Sequence, residues 1–349
     1  MRFIWLKTFP YRGNDWRRVL NMLSYGWRAF WLGCKLAQKP DVIIGAHVHP
    51  VAAISGYLMS KVKKSRFIFE VTDLWPETLI DIGAITRHNP LVYFLRIWEK
   101  FLYQRAEKTI MLWPQAHRYT TKLGIPEDKI VWIPHGVDLS RLHTMKKYDG
   151  GLLPTFTVMF LGGQSKYHGI DTILEAAGIL LAEGKGQIRF VIVGGGAEAG
   201  RLHSQAAKMR LSNVEFRPMV PKSEIGKVMG EADAFIFHIR KLIVLEKYGI
   251  SANKLYDYLS SGRPVIYAVD SSNNPVEEAK AGISVPAENP QALAEAVMRL
   301  FYLPPQERLQ MGENGIAFLK QHHDIRVLAD RLEDVLSDKG APGLCAQPV

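Results

Sequence analysis

The chain has 349 residues, of which 47% are hydrophobic and 22% charged, and its formal net charge is +10. This composition indicates a globular protein, and the length suffices for two domains that each bury a core. The two cysteines, Cys34 and Cys345, lie at opposite ends of the chain. They exclude a disulfide framework and a cysteine metal site, and they favour a reducing cytoplasm. Charged residues interrupt every long apolar run, so neither a transmembrane span nor a signal peptide is evident.

The positive charge is concentrated at the N-terminal end. Residues 1–66 hold twelve Lys or Arg against two acids, and the rest of the chain holds equal numbers of each sign. Aromatic residues are interleaved with this charge, which favours an anionic membrane surface over nucleic acid as the partner. The sequence therefore predicts a cytoplasmic protein that binds peripherally to the inner face of a membrane and has no nucleic-acid partner.

An aromatic stripe runs along the first predicted helix. From Asp15, taken as the N-cap, apolar residues recur at spacings of three and four. Core packing is the preferred explanation of the stripe, and membrane contact, supported by the flanking Arg17, Arg18 and Arg28, is the alternative. The stripe consists of Trp16, Val19, Leu20, Leu23, Trp27, Phe30 and Trp31.

Strands alternate with helices along the whole chain. This order predicts an α/β protein with parallel sheets in two Rossmann-like domains. The segment Asp149-Gly150-Gly151, with Pro154 close behind it, predicts a linker. The predicted domains are residues 1–148 and residues 153–335, followed by a disordered tail over residues 336–349.

Two predicted strands of the first domain end in polar residues. The run D-V-I-I-G-A precedes His47 and His49, and the run R-F-I-F-E-V precedes Asp73. Ligands bind at the carboxyl ends of strands in open parallel sheets, so these side chains are predicted to lie where chemistry takes place. The alternatives are a structural histidine and an aspartate that caps the next helix.

The second domain is predicted to open with a strand and a glycine turn, G-G-Q-S-K-Y-H-G-I-D. Gly162 and Gly163 would let the backbone approach a phosphate that Lys166 can reach, although such turns are common. The later run G-G-G over residues 194–196 does not match the dinucleotide fingerprint G-x-G-x-x-G at the start of a domain. It is interpreted as a close turn.

A short helix near residue 254 is the strongest candidate for a ligand site. Ser251 and Asn253 are predicted to cap it, and Lys254 adds a positive charge to the positive end of the helix dipole, which makes an anion site. Asp257, one turn further on, can accept hydrogen bonds from sugar hydroxyls. The pattern suits a nucleoside diphosphate with its ribose; the alternative is a solvated lysine and a surface acid.

The run K-L-Y-D-Y-L-S-S-G-R-P-V-I at residues 254–266 resembles the donor helix of GT-B-fold retaining glycosyltransferases of family 4, and the resemblance extends over about residues 3–335. In that family two acids separated by seven residues hold the donor. Asp257 matches the second, ribose-binding acid. Gly249 stands at the first, as in the bacterial branch that makes O-antigen and exopolysaccharide.

The resemblance implies a hexosyl- or N-acetylhexosaminyl-type transferase that moves a sugar from a UDP-sugar to a lipid-linked or polysaccharide acceptor with retention. It implies no metal and no other cofactor. Lys166 or Lys254 would neutralise the leaving diphosphate, whose own oxygen would take the acceptor proton. Asp73 and His49 would position the acceptor, and the backbone of Met219 and Val220 would hold the uracil.

One departure from the family bears on activity. A GT-B first domain normally opens with a strand, a glycine-rich loop and a helix, and no such unit precedes Arg2, so the first domain is expected to be incomplete. Two alternatives therefore stay open. One is a UDP-sugar 2-epimerase of the same fold, and the other is a catalytically inactive nucleotide-binding or scaffolding subunit, which the missing unit and Gly249 would suit.

Overall fold

The computed structural model describes residues 3–11, 16–47, 49–140, 148–151 and 155–337. The chain divides into two compact units, Met1–Pro134 with Asp330–Val349, and His135–Ala329. The predicted boundaries differ from this division, because residues 135–148 group with the second unit and residues from Asp330 on group with the first. The predicted cap Asp15, the linker residue Pro154 and the tail from residue 338 on lie outside the described residues.

The first unit is built on a parallel sheet of four strands in the order β1-β2-β3-β4. The strands are β1 (Val42–Ala46), β2 (Arg66–Val71), β3 (Lys108–Met111) and β4 (Ile130–Trp132). The helices are α1 (Trp16–Lys35), α2 (Pro50–Lys63), α3 (Glu77–Asp81), α4 (Pro90–Arg105) and α5 (His117–Lys122), with a short 3₁₀ turn at Glu127–Lys129.

Both faces of this sheet bury apolar side chains, as expected of parallel strands. On one face Phe67 packs edge-on against Tyr57 of α2, with ring centroids 5.5 Å apart. On the other face Ile68 and Ile110 are buried against Val335, near the C-terminal end of the chain. The sheet is therefore covered by elements from both ends of the sequence.

The aromatic stripe of α1 lies at the surface, so the preferred prediction of core packing is wrong. Trp16 is 65% exposed and Trp27 is 66% exposed. The helix instead packs on α2 through its small residues: Gly26 is buried, and its carbonyl oxygen accepts a hydrogen bond of 2.9 Å from the Ser55 hydroxyl. No helix among the described residues is both long and apolar enough to cross a bilayer.

The second unit contains a parallel sheet of six strands in the order β10-β9-β8-β5-β6-β7. The strands are β5 (Phe156–Leu161), β6 (Ile188–Val193), β7 (Val214–Arg217), β8 (Ala234–His238), β9 (Val265–Ala268) and β10 (Gly282–Val285). The helices are α6 (Ile170–Ala182), α7 (Ala199–Lys208), α8 (Ile225–Met229), α9 (Ile243–Tyr248), α10 (Asn253–Ser260), α11 (Pro275–Glu278), α12 (Pro290–Tyr302) and α13 (Pro305–His322). Helix α14 (Ile325–Ser337) begins in this unit and ends in the first.

The core of the second unit lies between the central strands and helices α6 and α12. Phe156, Phe160 and Phe190 are at most 1% exposed there. The strand order places the ends of β5, β6 and β8 together, which is where the glycine turn after β5 lies. The predicted α/β fold with two parallel sheets is confirmed.

Candidate functional site

Helix α10 begins without a side-chain cap, so the predicted capping roles of Ser251 and Asn253 are wrong. The residue before the helix is Ala252, which makes no side-chain cap hydrogen bond. The Ser251 hydroxyl oxygen instead accepts from the backbone N–H of His135 at 2.9 Å, and Asn253 is exposed as the first helical residue. An uncapped first turn leaves N–H groups available to an anionic ligand.

The loop before α10 is fixed by Asn273, which sequence reasoning missed. Its side-chain oxygen accepts from the N–H of Ile250 at 2.7 Å, and its amide donates to the carbonyl oxygen of Ile250 at 3.1 Å. Gly249, at the position of the family's first acid, has φ +86°. Side chains other than glycine rarely adopt such an angle, so an acid here would require a different loop backbone.

The amine nitrogen of Lys254 is buried between the glycine turn and the core, although the residue as a whole is half-buried. Its ammonium nitrogen is 4.3 Å from the centroid of the Phe160 ring, and among the described residues it has no hydrogen-bond partner. Burial lowers the pKa of Lys254 from 10.5 to about 7. A Cβ at Gly162 would overlap the end of this side chain, so the absence of a side chain at Gly162 makes room for the ammonium group.

The glycine turns after β5 and β6 pack backbone against backbone. The N–H of Gly162 donates to the Val193 carbonyl at 2.9 Å, and the N–H of Gln164 donates to the Gly195 carbonyl at 2.8 Å. A Cβ at Gly194 would overlap the carbonyl oxygen of Gly162, whereas a Cβ at Gly163 would meet only an atom of His168 at 3.9 Å. The G-G-G run thus serves close packing beneath the predicted phosphate turn.

Two histidines that sequence reasoning missed join the loops around Lys254. His168 has its Nδ1 2.9 Å from the Ser165 hydroxyl, and burial, with the Lys254 charge as the next cause, lowers its pKa to about 3. His238, 1% exposed, accepts the N–H of Glu288 at Nε2, 3.2 Å away. Its Nδ1 therefore carries the proton and donates to the His168 carbonyl at 2.7 Å.

The remaining predicted donor residues lie at the surface of the second unit. Lys166 is exposed in a short 3₁₀ turn, and Asp257 is exposed one helical turn after Lys254. Met219 is 78% exposed in the loop after β7, and Val220 beside it is half-buried. Of the predicted residues, the structure brings Gly162 and Lys254 into direct contact.

The polar residues of the first unit take different roles. His49 caps α2, because its Nδ1 accepts the N–H of Ala52 at 3.2 Å, and burial lowers its pKa. This leaves Nε2 as the ring nitrogen with which His49 could bind a ligand. His47 is 3% exposed, with its pKa lowered to about 4 by burial, and its Nδ1 has no partner among the described residues.

Asp73 does not cap the next helix, whose N-cap residue is Pro76 and has no side-chain cap hydrogen bond. The residue is exposed, yet the surrounding protein desolvates its carboxyl group enough to raise its pKa. The buried ring of His47 lies close by, packed edge-on against Trp75 with centroids 5.9 Å apart. A carboxyl group with a raised pKa at the end of a strand suits contact with a hydroxyl-bearing ligand.

Two family models match consecutive parts of the chain. Residues 5–141 match "Glycosyltransferase Family 4", and residues 155–302 match "Glycosyl transferases group 1". The probable glycosyltransferase WbjE of Pseudomonas aeruginosa is 19% identical over 83% of this chain and 74% of that protein. The D-rhamnosyltransferase WbpZ of the same species is 29% identical over 47% of this chain and 40% of that protein.

Among solved structures, the Anabaena protein Alr3699/HepE in complex with UDP has the same fold. It superposes with a TM-score of 0.71 at 16% identity, covering 92% of this chain and 84% of that one. The same Anabaena protein has also been solved with UDP-glucose. At this identity the similarity shows the fold.

Proposed function

We propose that this chain is a glycosyltransferase of GT-B fold that uses a UDP-sugar as donor. The two matched family models and the shared fold support a GT-B glycosyltransferase. The observation that carries the proposal is the buried ammonium of Lys254, which has no partner among the described residues and lies against Gly162 beside the uncapped start of α10. Burying a positive charge without a partner costs free energy unless a ligand supplies the opposite charge. A diphosphate supplies the missing negative charge.

The donor is held by groups of the second unit. Lys254 and the free N–H groups of α10 neutralise the diphosphate, and exposed Lys166 adds a second cation from the turn after β5. Asp257 accepts hydrogen bonds from the ribose hydroxyls. The backbone at Met219 and Val220 holds the uracil.

The reaction transfers a hexosyl or N-acetylhexosaminyl group with retention. The bond between the anomeric carbon and the diphosphate oxygen breaks, and an acceptor hydroxyl oxygen bonds to the same face of that carbon. The acceptor proton passes to the leaving phosphate. Asp73 and Nε2 of His49 orient the acceptor, and because Lys254 and α10 carry the neutralising charge, we propose that no metal is required.

The acceptor is a lipid-linked or polysaccharide sugar at the inner face of the cytoplasmic membrane, in the biosynthesis of a cell-surface polysaccharide. Support comes from the basic, aromatic N-terminal region and from the surface position of the α1 aromatics. The similar proteins WbjE and WbpZ are named as glycosyltransferases, which is consistent with this assignment.

Product analysis tests the proposal. The protein is incubated with UDP-glucose or UDP-N-acetylglucosamine and a lipid extract, with and without EDTA. We expect UDP release with labelled sugar on the lipid fraction, at equal rates in both conditions. Free epimerised UDP-sugar would favour the 2-epimerase, and UDP binding without turnover would favour an inactive subunit.

Asp257→Asn should weaken both UDP and uridine, because the ribose common to both loses a charged acceptor. A hydrogen bond to a charged group contributes about 1.5 to 3 kcal/mol, so affinity should fall roughly ten- to a hundredfold. Calorimetry measures both ligands, with Glu175→Gln, an exposed acid of α6, as the matched control. Unchanged uridine binding in Asp257→Asn would assign the ribose to another group.

A further inference from the structure

Helix α4 carries an exposed apolar surface that sequence reasoning did not single out. Tyr93, Phe94 and Ile97 are 57%, 52% and 72% exposed; we name these three residues the α4 ridge. The opposite side of the helix supplies the residues that bury against the sheet, among them Val92 and Leu95. Three large apolar side chains on one exposed helix face are unusual on a solvated surface and mark an interaction site.

The charges around the ridge favour an anionic partner. The only acid of α4 is Glu99, which is 3% exposed and bonded to two tyrosine hydroxyls in the interior. Lys100 and Arg105 of the same helix are exposed. Of its own residues, the solvent side of α4 therefore shows apolar and positively charged side chains and no acid, while Glu77 of α3 pairs with Arg96 of this helix.

Helix α1 repeats this chemistry. Five of the seven residues of its predicted aromatic stripe are exposed, and these five are here called the α1 stripe: Trp16, Val19, Leu23, Trp27 and Trp31. The helix sequence contains four basic residues and no acid. A helix with an apolar face and cationic flanks lies in the headgroup region of a membrane.

Helix α2 connects the two surfaces. It packs against both α1 and α4, and its own exposed apolar residues are Leu58 and Val62. Lys61 beside them is exposed as well. The outer layer of the first unit thus presents apolar side chains on three adjacent helices.

The α4 ridge is also tied to the candidate acceptor residue Asp73. Arg96, the neighbour of Ile97, forms an ion pair of 2.6 Å with Glu77. Glu77 is the first residue of α3, four positions after Asp73. A surface that fixes α4 therefore also fixes the loop that carries Asp73.

We propose that the α1 stripe and the α4 ridge are two contacts of the first unit with an anionic lipid bilayer, and that the α4 ridge holds the Asp73 loop at the interface. This inference rests on the proposed function, because it identifies the bilayer as the source of the lipid-linked acceptor. Apolar side chains enter the headgroup boundary, and the basic residues contact the lipid phosphates.

Vesicle sedimentation with the full chain tests the inference. Wild type, Phe94→Ser/Ile97→Ser and Trp27→Ser/Trp31→Ser are compared on vesicles of phosphatidylglycerol with phosphatidylcholine, and on phosphatidylcholine alone. The matched control is Met209→Ser/Ile325→Ser, which removes two exposed apolar side chains of the second unit. We expect each first-unit variant to bind anionic vesicles at least about tenfold more weakly than wild type. Burying one large apolar side chain such as Phe or Ile contributes more free energy than a tenfold change in binding requires. The control should match wild type.

UDP affinity, measured on the same samples, separates this inference from the proposed function. We expect it to be unchanged in all three variants, because the donor-binding groups belong to the second unit. Far-UV circular dichroism spectra and melting temperatures equal to those of wild type show that the first unit is folded as well. The inference would be overturned if Phe94→Ser/Ile97→Ser bound anionic vesicles as strongly as wild type does, or if wild type bound both kinds of vesicle equally. Neither result would contradict UDP-sugar turnover. A difference in sedimentation velocity between Phe94→Ser/Ile97→Ser and wild type without vesicles would also overturn the inference. Such a difference would mean that the α4 ridge contacts a second copy of the chain.

Discussion

Lys254→Ala should weaken UDP binding by about ten- to a hundredfold and leave uridine binding unchanged. The substitution removes one charge-assisted contact to the diphosphate, worth roughly 1.5 to 3 kcal/mol, and touches neither base nor ribose. Calorimetry on the folded protein measures both ligands. Lys227→Ala, which removes an exposed lysine of α8, is the control and should bind UDP normally.

The effect should depend on pH, because burial lowers the pKa of Lys254 from 10.5 to about 7. UDP requires the protonated amine, so its affinity should fall as the pH rises above about 7, and binding should take up a proton there. The terminal phosphate is already mostly ionised at pH 7, since the second pKa of a phosphate group is about 6. Lys254→Arg, which stays charged, should show no such decline.

The stability of the ligand-free protein should change in the opposite direction. Between a pKa of about 7 in the folded chain and 10.5 in the unfolded chain, the unfolded state binds the extra proton. The free energy of unfolding should therefore increase as the pH rises from about 7 to 10.5, and decrease again as the pH falls back toward 7. UDP affinity that is equal in Lys254→Ala and wild type at every pH would place the diphosphate elsewhere.

Local pattern was sufficient to predict helix α10 and its lysine, but not how the helix begins. Gly262, at φ +70°, lies just beyond the end of the helix. The predicted cap failed because the Ser251 hydroxyl is engaged by His135, 116 positions earlier in the chain. A local capping pattern cannot anticipate a partner that only the fold supplies.

The α1 stripe illustrates a second limit of sequence reasoning. The helical period was predicted from the spacing of large apolar residues, and the same residues were assigned to the core. The core-facing side is made instead by Gly26 and Gly33, where a Cβ would overlap side chains of α2. Close helix packing selects small residues, and a hydrophobicity pattern does not reveal them when the exposed face is more apolar than the buried one.

The missing first acid has a backbone explanation that only the structure supplies. From the sequence, Gly249 is a departure from the family's pair of acids. In the structure the residue adopts φ +86°, and the next residue is held at both its N–H and its carbonyl by Asn273. The loop is therefore built around glycine at this position.

The close turn at residues 194–196 was predicted from the sequence, but the roles of its individual glycines were not distinguished. Gly194 has φ +137°, and a Cβ there would overlap the Gly162 carbonyl oxygen. Gly195 has nothing within 4 Å of an added Cβ. The two neighbours, identical in the sequence, therefore provide a matched pair of substitutions.

Gly194→Ala should destabilise the second unit and abolish tight UDP binding. The added methyl group meets backbone and cannot be relieved by a side-chain rotation, so the turns after β5 and β6 must separate. Backbone strain and overpacking each cost about 1 to 3 kcal/mol. The separation also moves Gly162 away from Lys254, which removes the wall against which the ammonium group lies. Thermal unfolding with and without UDP measures both effects, since a ligand that binds the folded state raises its melting temperature.

Gly195→Ala should leave melting temperature and UDP affinity near those of wild type, because its methyl group points into open space. Replacing a glycine by alanine also restricts the unfolded chain, which by itself slightly stabilises the fold. Comparing the two variants separates this general effect from the effect of the contact between the turns. Equal behaviour of the two variants would mean that the turns do not depend on their close approach. A Gly194→Ala protein that loses stability but keeps full UDP affinity would separate the turns from the donor site, and Lys254 would then bind its anion without support from Gly162.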